Sequence, residues 1–136
     1  DRLRRVAFRQ SALHFARGPA DNPVNRFART FDAQLARVVA EGEPGYHPYV
    51  FAGLRQMGAA AEYAALHLRW LADAGEAPLL RAADALGEVS ATARVLLLKT
   101  ARMVARGGVS DVSGQLAQLR DAWQRAHDAL QQALGA

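Results

Sequence analysis

Cysteine is absent from the 136 residues. That excludes disulfides, thiolate metal sites and a thiol nucleophile within this chain. Isoleucine is also absent, and β-branched residues are scarce, which argues against strands. Lysine occurs once, at Lys99, so 16 arginines carry nearly all of the positive charge. The longest apolar run, Val95-Leu96-Leu97-Leu98, is far too short to span a bilayer. No signal-peptide pattern opens the chain, and the expected location is cytoplasmic.

What is abundant is alanine, with 30 residues, and leucine, with 17. Both are strong helix formers. Seventeen basic against 13 acidic residues leave a net charge of +4. The arginines are spread along the chain, and arginine-rich, alanine-rich, isoleucine-free usage is what a GC-rich bacterial genome produces. Basic and acidic residues alternate along most helices without a helix-turn-helix signature, so a nucleic-acid partner is not expected.

Punctuation and periodicity predict helices throughout. The first spans about Arg2 to Arg17, with Val6, Phe8, Leu13 and Phe15 as a ragged apolar side, and Gly18-Pro19 ends it. Asp21 or Asn22 caps the second, Pro23 opens it, and Val24, Phe27, Phe31, Leu35 and Val38 form its buried stripe. Gly42-Glu43-Pro44-Gly45 stops it. The third opens near Tyr46-His47-Pro48 and reaches about Asp73, with small residues from Gly53 to Ala61 that admit a close neighbour. The fourth runs from about Leu79 to Arg106, with Gly87 as a candidate bend. Ser110 or Asp111 caps the last, whose Val112, Leu116, Leu119, Trp123, Ala126, Leu130 and Ala133 follow bundle-type spacing. Short connections make sequence neighbours spatial neighbours. The expected fold is all-α, an antiparallel bundle of four to five helices forming a single domain over residues 1–136, itself a fragment or C-terminal half of a longer protein.

Chemistry-bearing patterns are sparse. His14, His47, His67 and His127 lie on different elements without metal-ligand spacing, and no metal is expected. Ser11, Ser90, Ser110 and Ser113 lack a Gly-x-Ser-x-Gly context, so no catalytic residue is assigned. Ser90, mid-helix among apolar residues, is expected to bond back to a helix carbonyl. The segment Tyr46-His47-Pro48-Tyr49 is the most suggestive, with two phenols and an imidazole at a helix start. Two readings stand: a binding surface, or a staple that closes the core. Arg55, Glu62 and Arg69, seven apart, share one polar helix face with Gln56 adjacent. Lys99, Arg102 and Arg106 form a cationic strip that also suits a helix C-terminus. The candidate binding residues are therefore Tyr46, His47, Tyr49, Arg55, Gln56, Glu62, Lys99 and Arg102.

Several runs also resemble a known family. Leu13-His14-Phe15-Ala16-Arg17, then Asp21-Asn22-Pro23 and Arg26-Phe27, belong to the likeness. So do Tyr46 through Gln56, Gly58-Ala59-Ala60 and Glu62, with Ser90, Ala93, Lys99 and Arg102 similar in spacing. They resemble the C-terminal half of a bacterial domain-of-unknown-function family, family 1839. The resemblance implies an N-terminal half similar to papain-type cysteine acyltransferases, which would carry the Cys, His and Asp. It implies association with amino acid:carrier-protein ligases and an acyl carrier protein partner. The implied reaction is transfer of an aminoacyl group from a carrier-protein thioester to an acceptor. This chain would need no cofactor of its own; the phosphopantetheine would sit on the carrier. The helical chain would supply a wall of the acceptor pocket or the carrier-docking surface. Two other readings compete: a non-catalytic helical scaffold or regulatory protein-interaction module, and a small all-α enzyme in which Arg55, Arg94 and Lys99 converge on one cavity.

Overall fold

The structure, a computed structural model, describes residues 1–73 and 75–135. They form helices joined by short turns, with no strand among the described residues. In chain order these are α1 (Arg2–Ala16), α2 (Val24–Glu41), α3 (Glu43–Tyr46), a π-helical turn (His47–Phe51), α4 (Ala52–Ala72), α5 (Ala77–Arg106) and α6 (Ser113–Leu134).

The stop between α2 and α3 is narrower than the sequence suggests. Gly42 alone makes it, at φ 72° and ψ −150°. Pro44 then lies in the first turn of α3, where a missing N–H is harmless. α3, the π-helical turn and α4 continue without interruption, since His47 and Ala52 both keep right-handed helical angles. Pro48 falls inside this rod. An internal proline removes one ladder bond and crowds the preceding turn. The rod widens there, and Ala52 N–H reaches back five residues to the His47 carbonyl.

Polar side chains secure the starts of α2 and α6. Asn22 Oδ1 accepts the Val24 N–H at 3.0 Å, and Asp111 Oδ1 accepts the Ser113 N–H at 2.9 Å. Of the two cap candidates for each helix, Asn22 and Asp111 are the ones used. Gly107 ends α5 in the left-handed conformation at φ 72°. Gly87 causes no break in α5.

Cross-helix pairs set the topology. Glu62 pairs with Arg94 and Arg69 with Asp84, so α4 and α5 run antiparallel. Lys99 meets Gln115, Glu88 meets Arg125 and Arg81 meets Gln132, so α5 and α6 do too. α5 is thus the middle helix of an α4–α5–α6 layer. Its burial extends well beyond one stripe for that reason: Ala82, Val89, Leu96, Thr100 and Met103 are buried as well as Leu79, Ala83 and Ala93.

Two core clusters fill this frame. One joins α2, Tyr46, Val50 and Leu54 to the C-terminal half of α5 and the start of α6, around Phe31, Leu96, Met103 and Leu119. The other joins the end of α4 to the start of α5 and the end of α6, around Leu68, Leu79 and Ala129. Leu86 packs against both. Burying each such leucine or phenylalanine contributes about 1.5–3 kcal/mol.

α1 departs from expectation. None of its residues is buried. Phe8 and Phe15 turn inward, whereas Val6 and Leu13 are 51% and 47% exposed. Residues two apart on a helix point about 200° away from each other, so these two pairs cannot share a side. Ala7 and Phe8 pack against the second cluster, and polar contacts add to this hold. Arg4 donates to the Trp70 carbonyl and to Asp73, each at 3.1 Å.

Candidate functional site

The site grows from the helix start at Tyr46. Burial on α3 places the Tyr46 ring in the core, where its hydroxyl donates to the Leu97 carbonyl of α5 at 3.0 Å. Tyr46 is therefore the staple of the pair of readings offered for this segment. Burial also pushes its phenol pKa above the ordinary value. His47 and Tyr49 stay exposed beside it, and His47 packs edge-on against Tyr46 and Phe51.

One turn further on, α4 and α5 enclose a groove of about 430 Å³. Leu54, Gly58 and Leu97 are part of its lining. Gly58 faces α5, and a methyl there would meet Ala93 Cβ at 3.6 Å, an ordinary contact. Phe51 and Arg55 form one wall, and the Arg55 guanidinium sits 5.5 Å from the Phe51 ring centre. Glu62 and Arg94 close the other end with an ion pair at 2.9 Å. No carboxylate pairs with Arg55 among the described residues. The groove thus combines an apolar floor with two guanidiniums and a single carboxylate, and no serine or histidine lines it.

The remaining sequence-predicted residues lie elsewhere. Gln56 is exposed one position beyond Arg55 and does not line the groove. Lys99 turns to the opposite side of α5, donating to the Asp111 carbonyl and, at 3.2 Å, to Gln115 Oε1. It ties the α5–α6 turn together. Arg102 is exposed, with no hydrogen bond or ion pair among the described residues. Arg55 and Arg94 thus share the groove, while Lys99 lies on the other side of α5, so the three do not converge on one cavity.

Two features escaped the sequence. Ser90, expected to bond back to its own helix, is buried with its hydroxyl unpartnered. Thr100 does make that bond, to the Leu96 carbonyl at 2.7 Å. Ser11 Oγ and His67 Nε2 lie 3.0 Å apart, a pairing across 56 residues that no local pattern announces. Among the described residues no three His, Asp or Glu side chains gather as a metal site, and no helix is long and apolar enough to cross a membrane.

An all-α domain with a cationic groove on one helix pair is the class these observations define. The particular family follows from comparison with known proteins. The family model described as the DUF1839 C-terminal domain matches residues 1–132, so the chain belongs to that family. No curated protein and no solved structure matches it.

Proposed function

We propose that this domain is the helical accessory part of a cysteine-type acyltransferase, which takes an aminoacyl group from a carrier-protein thioester and passes it to an acceptor. The observation that carries the reading is the α4–α5 groove, where Arg55 faces solvent without a carboxylate partner above the apolar floor of Leu54 and Leu97. An acidic carrier whose phosphopantetheine arm joins a phosphate to a slender chain matches that combination of cations and carbon. The nucleophilic thiolate, its histidine and its aspartate belong to the catalytic half. The exposed Val95 and Leu98 on the outer face of α5, 48% and 56% exposed, offer that half a surface to pack on. This reading locates the reaction in the cytoplasm.

The test is an aminoacyl-transfer assay on the gene product that carries this domain, with a loaded carrier as donor. Arg55→Glu is expected to raise KM for the carrier about tenfold while leaving transfer from a small-molecule thioester unchanged. Equal KM for wild type and variant would remove the groove from the reaction. Absence of any transfer would leave a protein-interaction scaffold.

A further inference from the structure

A second cavity lies beneath α1, and it shares no lining residue with the α4–α5 groove. Its volume is about 530 Å³. The sequence of α1 creates it. Ala7 and Ser11, four residues apart, stand on the inward side where longer side chains would reach the bundle. Opposite them are Leu68, Leu86, Leu130 and Leu134. α1 is held at both ends, by Arg4 on Trp70 and Asp73 and by Phe15 against the His127 ring at 5.2 Å. Between these ends it touches the bundle through the partly buried Ala7 and Phe8, and none of its residues is fully buried.

The lining selects a chemistry. No arginine, lysine, aspartate or glutamate contributes to it. An ion entering would lose hydration with no opposite charge to meet. The polar groups are confined to Gln10, Ser11, His14 and His67, with Ser11 and His67 hydrogen-bonded to each other. Sites for small organic molecules have this make-up: about 300–1,000 Å³, mostly carbon, with a few polar groups that orient the occupant.

We propose that the cavity under α1 binds a neutral organic molecule with an apolar body, aromatic or aliphatic, and one hydrogen-bonding end held by Ser11 and His67. The site stands independently of the carrier reading, since it uses other helices and other residues.

The probe is N-phenyl-1-naphthylamine, an uncharged two-ring amine whose fluorescence rises in apolar surroundings. Added to the gene product that carries this domain, it is expected to saturate with one molecule at this cavity. In the same titration the ring signals of His14 and His67 shift, while those of His47, beside the other groove, stay in place. Ala64→Phe projects a ring into the cavity and is expected to weaken binding at least about tenfold. Should that variant misfold, the histidine shifts in the wild-type chain decide alone. Leu80→Ser with Val109→Ser removes exposed carbon from outside the cavity and is expected to leave binding intact. No saturable binding, unmoved His14 and His67, or binding lost only with Leu80 and Val109 would each overturn the proposal.

Discussion

The Tyr46 hydroxyl and the Leu97 carbonyl, 51 residues apart, meet at 3.0 Å and fasten the start of the α3–α4 rod to the middle of α5. Tyr46→Phe keeps the ring and leaves that carbonyl without its partner. The expected loss is about 1 kcal/mol, read as a lower urea midpoint. The pH dependence has a definite sign. Burial raises the folded-state pKa above the ordinary value of 10.0, so an unfolded chain releases the phenolic proton first. Stability from this group is complete below that value and declines as pH rises through the folded-state pKa. Tyr46→Phe is expected to flatten this alkaline decline.

Ser90 carries a buried hydroxyl with no partner. An unmet polar group costs about 1–3 kcal/mol to bury, and alanine is also the better helix former. Ser90→Ala is expected to raise stability by about 1 kcal/mol in thermal or urea unfolding. A destabilised variant would mean that the hydroxyl is satisfied in solution, by water or by the backbone.

Glycine positions in the rods give opposite outcomes by size. At Gly87 a methyl meets open space, and at Gly58 it meets Ala93 at ordinary contact distance. Gly87→Ala and Gly58→Ala are each expected to add about 0.5–1 kcal/mol by helix propensity. Gly58→Leu must push α5 away from α4, at a cost of about 1–3 kcal/mol. Differential scanning calorimetry separates the three.

Acid weakens two surface anchors. Arg125, by hydrogen bonding, holds the Glu88 carboxyl below its ordinary 4.5, and the Ser113 backbone N–H, then its hydroxyl, hold Asp111 below 3.8. Both shifts are depressions, so the stability they bring is present above those ordinary values and lost as pH falls through the lower folded-state ones. Glu88 and Arg125 are 56% and 55% exposed, which limits their pair to under about 1 kcal/mol, further reduced by salt. Glu88→Gln and Asp111→Asn are each expected to give a shallower acid limb when unfolding midpoints are followed from about pH 6 to pH 3.

Local chemistry made most of the fold legible. The 3–4 spacing from Val24 to Val38, the caps at Asn22 and Asp111 and the breaks at Gly42 and Gly107 need only nearest neighbours to be read. What stayed hidden is tertiary. The central position of α5 multiplies its buried faces, and no single-helix stripe reveals that. The widened turn at Pro48 depends on a rod whose two ends are already committed to helix. α1 has apolar residues on opposing sides, and only the bundle decides that Phe8 and Phe15 turn in. For the candidate site, Arg55 and Glu62 share a face by their spacing alone. That Arg94 comes to meet Glu62 while Lys99 turns toward α6 is set by the antiparallel register, which the sequence does not display.

Docking of an acidic carrier in the α4–α5 groove, as proposed, is read at single-residue level by a nuclear magnetic resonance titration of the labelled protein with a phosphopantetheinylated carrier. Shifts concentrated at Phe51, Arg55, Arg94 and Leu97 are expected, with binding weakened about tenfold by Arg55→Glu and by added salt. Shifts scattered away from the groove, or a complex indifferent to both the charge reversal and the salt, would contradict it.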